Sequence, residues 1–279
     1  MPEGDTIHRT AGVLNRALAG HVVTAFETAY AHLARVDDDQ PVTGRRVECV
    51  RAAGKHLLIA FSGGLVLRTH MRMSGRWHVY RRGEPWRSPD GAARIALATR
   101  ERVAVAFDVV DAELVSAASL PRRRALAALG PDLLDAAFAE ATAVANLRAS
   151  GDRPIGDVLL DQRVMAGVGN VFKSEILFVC GVHPWTVAGA LAEADAAKVV
   201  RTARRLLRAN AGGDASAVGA PLVGRRTTGR LNPAERLWVY GRRGRPCFRC
   251  GAPIEAGKQG LAARTTFWCP RCQPGPAGR

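Results

Sequence analysis

The chain has 279 residues, 47% of them hydrophobic, with a formal net charge of +15 and a pI near 10.8. It is long enough for more than one domain with a real core, and it has neither an apolar run near the roughly 18–20 residues of a membrane span nor a basic-then-apolar secretory leader. A cytoplasmic protein with no membrane partner is therefore expected; residues 201–279 hold 16 Lys+Arg against 3 Asp+Glu, the footprint of a polyanion partner such as nucleic acid, which suits a nucleoid-associated protein.

The chain opens Met1-Pro2-Glu3. Proline is small enough for Met1 to be clipped, which leaves a secondary amine beside a carboxylate. An α-amino group titrates at roughly 7.7–8.0, so part of it is uncharged and nucleophilic near neutral pH. Its adduct with an aldehyde carbon is an iminium, an electron sink, and Glu3 can move protons beside it. A plain helix start reads the same way, so this feature alone decides nothing. Residues 5–19 carry Ile7, Ala11, Leu14 and Leu18 at helical spacing, with Asp5 or Thr6 as cap and Gly20 as stop.

From 21 to 117 the pattern is all β, a sandwich or flattened barrel. Short runs such as Val22-Val23-Thr24, Leu57-Leu58-Ile59, Leu65-Val66-Leu67 and Trp77-His78-Val79-Tyr80 read as strands, with further strands at 94–97 and 103–107. Ser62-Gly63-Gly64 predicts a hairpin turn. Lys55, in Gly54-Lys55-His56-Leu57-Leu58, is one of only four lysines against 36 arginines, which marks it as a candidate phosphate grip; edge-strand solubility is the alternative. Cys49 and Cys180 sit in apolar contexts and are expected to be inert core thiols. His70 and His183 are expected to be structural.

Pro121 and Arg122-Arg123-Arg124 mark a boundary. Helices are expected near 122–128, 134–148, 155–161, 170–180 and 188–210. Within them, Asp161-Gln162-Arg163-Val164-Met165-Ala166-Gly167-Val168-Gly169-Asn170 ends one helix and opens another. Gly167 and Gly169 allow a tight turn and Asn170 is a candidate cap. Backbone N–H groups at that positive helix end suit a phosphate, although an ordinary connector has the same composition. Residues 212–234 read as a loop, and Trp238-Val239-Tyr240 as the start of a final β segment.

That segment holds Cys247-Phe248-Arg249-Cys250 and, after an 18-residue spacer, Cys269-Pro270-Arg271-Cys272. Two C-x2-C turns separated by a hairpin's length present four thiolates to one structural zinc; iron or redox dithiols are the alternatives. Arg264, on the intervening hairpin, is either a braced phosphate ligand or a solvated surface arginine.

Taken in order, Met1-Pro2-Glu3-Gly4, Gly54-Lys55-His56-Leu57-Leu58, the Asp161-to-Asn170 turn with Val182-His183-Pro184, Val239-Tyr240-Gly241-Arg242 and the cysteine finger ending in Gln273 resemble the formamidopyrimidine-DNA glycosylase/endonuclease VIII family over nearly the whole chain. The resemblance implies an α+β multidomain fold: an N-terminal β-sandwich with its leading helix (1–120), a helical helix-two-turn-helix domain (121–235) and a zinc-finger β-hairpin (236–279). It implies a DNA glycosylase and abasic-site lyase that cuts by β and δ elimination, with DNA held between domains. Pro2 would be the Schiff-base nucleophile and Glu3 its proton-transfer partner. Lys55, Asn170 and Arg264 would hold phosphates, with Gly167 and Gly169 in the DNA-binding turn, and Met73 would fill the gap left in the duplex. The substrate implied is double-stranded DNA with oxidised bases or abasic sites; one zinc and no small-molecule cofactor are expected, and nothing in the sequence calls for more than a monomer.

Two positions depart from the family pattern. Thr6 stands where many members have glutamate, and Gly156 where related sequences have lysine, leaving one DNA contact missing or supplied by Arg153. Gly4 in place of leucine is similar to the endonuclease VIII branch, which favours oxidised pyrimidines. The competing readings are a zinc-containing damaged-DNA-binding protein without catalysis, and an N-terminal-proline tautomerase, which leaves the finger and the charge unexplained.

Overall fold

The computed structural model describes residues 2–212 and 224–275. Part of the loop expected at 212–234 therefore lies outside the described residues. The chain divides into two compact units, residues 2–128 and residues 129–211 with 224–275.

The first unit begins with helix α1 (Gly4–Leu18), strand β1 (Ala25–Thr28) and helix α2 (Ala31–Asp39). Strands β2 (Val47–Ala53), β3 (His56–Phe61), β4 (Leu65–His70), β5 (Arg76–Arg81), β6 (Ala93–Ala98), β7 (Arg102–Phe107) and β8 (Asp111–Ser116) follow, then the short helix α3 (Arg124–Ala127). The strands form two four-stranded antiparallel sheets, ordered β1-β6-β7-β5 and β2-β3-β4-β8, which is the expected β-sandwich. Period-two alternation builds it: Leu57, Ile59 and Phe61 of β3 and Leu65 and Leu67 of β4 join Ile7, Leu14 and Leu18 of α1 in one core. Each such side chain contributes about 1.5–3 kcal/mol on burial. Leu58, Val66 and Val115 point the other way, under Leu120. Gly63 and Gly64 both have positive φ, +75° and +73°, as a tight hairpin turn between β3 and β4 requires.

The all-β reading of 21–117 needs correction in three places. Residues 31–39 are helical: Leu33 is buried in the core and Val36, one turn on, packs against it. The first strand starts at Ala25, while Val22 makes only an isolated bridge to Arg46. Cys49 is exposed, not a core thiol, because an irregularity between Val47 and Cys49 resets the alternation and Val47 and Val50 take the inward positions.

The second unit contains helices α4 (Glu140–Arg148), α5 (Ile155–Val158), α6 (Asn170–Cys180) and α7 (Glu193–Ala211), and a hairpin of β9 (Glu255–Gln259) and β10 (Arg264–Trp268). Phe172, Ile176 and Leu177 of α6 pack with Val199, Ala203, Leu206 and Leu207 of α7 in its core, and Cys180 is buried there as expected. Helix does not extend over 134–139, because Asp132 and Asp135 accept the N–H groups of Leu134 and Ala137, both at 2.9 Å, in side-chain turns that compete with helix. Residues 238–240 are not a strand: their three N–H groups converge on the buried Glu175 carboxylate of α6, at 2.8, 2.9 and 2.9 Å.

Candidate active site and zinc centre

At the start of α1, Glu3 has extended backbone (φ −121°, ψ −178°) and is the helix cap, so neither Asp5 nor Thr6 fills that role. Its carbonyl accepts the N–H groups of Thr6 (2.9 Å) and Ile7 (3.1 Å), and its side chain is fully buried. Pro2, half-buried, precedes it. Asp5 is buried and pairs with Arg9 at 3.4 Å, while the Thr6 hydroxyl donates to Asp5 at 3.3 Å.

Helix α1 packs against β2 and β3, and Lys55 lies in the turn that joins those strands, beside Gly54 at φ +56°. Behind Lys55 lies a charged network that its local sequence does not announce. Arg68, buried at 4% exposure, donates to His56 Nδ1 at 3.1 Å and to Asp111 at 2.6 Å, and lies 3.2 Å from Glu113. Burial, with the His70 and Arg68 charges, pushes His56 down to about 3; burial, with Arg72, pushes His70 down to about 4. Both imidazoles are therefore neutral at physiological pH, which lets His56 Nδ1 accept from Arg68. The one available clue was a charged residue inside the apolar run Leu65-Val66-Leu67-Arg68.

In the second unit, Gly167 has φ +112° and its N–H donates to Gln162 Oε1 at 3.0 Å, so the turn does need glycine there. Gly169, not Asn170, is the cap of α6; Asn170 is the first helical residue. Its side chain is turned to β10, where Nδ2 donates to the Thr265 carbonyl at 2.8 Å. Asn170 is thus brought to the residue next to Arg264, the half-buried first residue of β10. One turn along, the fully buried Lys173 donates to Thr266 Oγ1 at 2.6 Å, and that hydroxyl donates to Gln259 Oε1 at 2.8 Å. Gln259 Nε2 ends the chain on the Pro184 carbonyl at 2.8 Å. Gly156 lies under this amide: a Cβ there would sit 2.3 Å from Gln259 Oε1. The departure at 156 is therefore matched by Gln259 in the space a side chain would need. Arg153 pairs with Asp161 at 3.0 Å, and Arg163 with the same carboxylate at 2.8 Å. The hydrogen bond from Arg163 is the largest influence holding Asp161 well below the usual carboxylate range. His183 is structural, with its ring packed on Trp185 and Trp268.

The hairpin carries the two cysteine pairs at its ends. All four Sγ atoms lie within 4.8 Å of one another, with Cys250–Cys269 at 3.5 Å and Cys247–Cys272 at 3.9 Å. A tetrahedral zinc with bonds of about 2.3 Å needs sulfur–sulfur edges of about 3.8 Å, so the four residues fit one ion and leave it no open position. The site is braced from outside: Arg242 stacks on Phe248 at 3.4 Å, and Arg249 on Phe178 at 4.4 Å.

Comparison with known proteins agrees with this anatomy. Residues 1–112 match the formamidopyrimidine-DNA glycosylase N-terminal domain, 129–219 the formamidopyrimidine-DNA glycosylase H2TH domain, and 244–275 the zinc finger found in FPG and IleRS. A Streptomyces coelicolor protein named probable endonuclease 8 2 is 42% identical over 282 residues, covering 100% of this chain and 96% of its own. The chain belongs to the formamidopyrimidine-DNA glycosylase family. Another relative, a Mycolicibacterium smegmatis protein named DNA-(apurinic or apyrimidinic site) lyase Nei2, is 38% identical, with 98% of this chain and 99% of its own covered. The family fold extends to Lactococcus lactis Fpg, solved in complex with DNA containing an abasic site, at TM-score 0.81 and 22% identity, covering 98% of this chain and 100% of that one.

Proposed function

We propose that this chain is a bifunctional DNA glycosylase and abasic-site lyase of base excision repair, acting on oxidised pyrimidines in double-stranded DNA. The observation that carries the reading is the arrangement at the start of α1, a half-buried Pro2 followed by a fully buried Glu3, in a chain of this family. With Met1 removed, the Pro2 nitrogen attacks the anomeric carbon of a nucleotide taken out of the stack, and the bond to the damaged base breaks. The sugar ring opens as its oxygen takes a proton from Glu3, leaving an iminium on Pro2. Loss of a proton from the sugar's C2′ expels the 3′ phosphate, and loss of a second from C4′ expels the 5′ phosphate. Water then releases the remaining fragment and restores the amine.

Lys55, Asn170 and Arg264 bind the phosphates around the extruded nucleotide. Asn170 has a second amide N–H to give beyond the one held by Thr265, and its placement against the strand of Arg264 supports a shared role for the pair. Met73, 59% exposed, fills the vacated space. The preference for pyrimidines rests on Gly4 and on the relatives named endonuclease 8. The segments 1–120, 121–235 and 236–279 are proposed as the catalytic, helical DNA-binding and zinc-finger regions of a monomeric, cytoplasmic protein.

The test is cleavage of a labelled duplex with one abasic site. Ends carrying phosphate on both sides of the gap are expected, and no cutting by a chain whose Pro2 nitrogen is blocked by retained Met1. Salt-sensitive binding without cleavage by the parent chain would favour the non-catalytic reading.

A further inference from the structure

The segment after β4 presents Met73 between two fixed points. On one side Met71 is buried at 2% exposure. On the other, Gly75 N–H donates to the Met71 carbonyl at 2.8 Å, and a Cβ at Gly75 would meet that oxygen at 2.5 Å. The chain turns between them at Arg72, whose φ of +50° is a left-handed conformation that non-glycine residues adopt at a cost. Two contacts hold it there. The Arg72 N–H donates to His70 Nδ1 at 3.0 Å, and its guanidinium donates to Asp111 Oδ2 at 2.7 Å. The other oxygen of the same carboxylate receives Arg68 at 2.6 Å from within the sheet. Asp111 is also the cross-strand partner of His70. One carboxylate thus ties a buried arginine to the arginine immediately before Met73.

We propose that Asp111 is the positioning residue for Met73: anchored on Arg68, its carboxylate holds Arg72 in the left-handed turn, so that Met73 meets a damaged duplex already ordered. The inference rests on the reading of Met73 as the gap-filling side chain. Ordering the loop before DNA arrives removes that cost from the binding step.

The experiment uses the full chain with an abasic site in two settings, a duplex and the same strand alone, where there is no stack to fill. A 2-aminopurine opposite the abasic site reports unstacking by its fluorescence. In Asp111→Asn, Arg68 keeps a second carboxylate, Glu113 at 3.2 Å, so the sheet stays paired. Arg72→Gln is the companion variant; its side chain is 60% exposed, and it breaks the clamp from the other end. Losing a charge-assisted hydrogen bond should slow duplex cleavage about tenfold in both variants and weaken the fluorescence rise. Cleavage of the single strand should stay unchanged. Adding Met73→Ala to Asp111→Asn should bring no further loss, because both act through one side chain. Equal losses on both substrates, or losses that multiply, would overturn the proposal. If Met73→Ala slows duplex cleavage and Asp111→Asn does not, the clamp fails alone; if Met73→Ala has no effect, the gap-filling reading fails and takes the clamp with it.

Discussion

Gly156→Ala isolates the departure from the family pattern most sharply. The new Cβ would lie 2.3 Å from Gln259 Oε1 and 2.7 Å from both Cδ and Nε2. A side-chain end is normally cheap to displace, but Gln259 is 4% exposed and bonded at both ends, to Thr266 and to the Pro184 carbonyl. Moving it forfeits two hydrogen bonds of about 1 kcal/mol each, and leaving its buried amide unpaired raises the cost by about 1–3 kcal/mol. Alanine returns about 1 kcal/mol of helix propensity. The expected outcome is a net loss of about 2–4 kcal/mol, read from the urea midpoint of the zinc-loaded protein. In a Gln259→Ala background the same substitution should be neutral or stabilising, since nothing then fills the space. A Gly156→Ala protein as stable as its parent would mean that Gln259 moves without loss and that the fit between the two residues carries no energy. Gly156→Lys should also destabilise, so restoring the family's lysine alone would not restore its contact.

Three further outcomes follow from the site. Chelating the zinc should melt the β9–β10 hairpin and abolish DNA binding, since structural zinc supplies on the order of 10 kcal/mol of folding free energy; binding that survives complete metal loss would contradict this. Arg264→Ala should weaken cleavage at least about tenfold, as loss of an arginine–phosphate contact does, while one zinc per chain stays bound; loss of zinc would assign Arg264 a structural role. Stability should fall on acidification below about pH 6.5. His56 and His70 bind protons near 6.5 when unfolded but only near 3 and 4 when folded, so their contribution is complete above 6.5 and declines as pH drops toward those values. The urea midpoint should therefore drop between pH 7 and pH 4.5, and less so in His56→Gln; equal drops would count against the assignment.

The features legible in the sequence are those fixed by near neighbours. The cysteine spacing, the Gly63-Gly64 turn and the amphipathic repeat of α1 each state their geometry within a few residues. What escaped depends on partners far along the chain. Trp238-Val239-Tyr240 has strand composition, yet its N–H groups are taken by Glu175, more than 60 residues earlier. Asn170 has cap composition, yet its amide goes to Thr265 on another element. Cys49 looks apolar in context, but a local irregularity in β2 turns it outward. Arg68 and Asp111 become a pair only when β4 and β8 are laid side by side. Gly156 looked like a missing contact, and its fit to Gln259 is visible only in three dimensions.

In the proposed reaction Pro2 becomes covalently joined to a deoxyribose carbon. Borohydride reduction during incubation with an abasic duplex, followed by mass spectrometry of the digested adduct, tests it directly. A sugar fragment is expected on the nitrogen of Pro2 in chains lacking Met1, and no adduct at that nitrogen in chains where retained Met1 blocks it. An adduct on Lys55 or another lysine, or none in a chain that still cuts the strand, would contradict it.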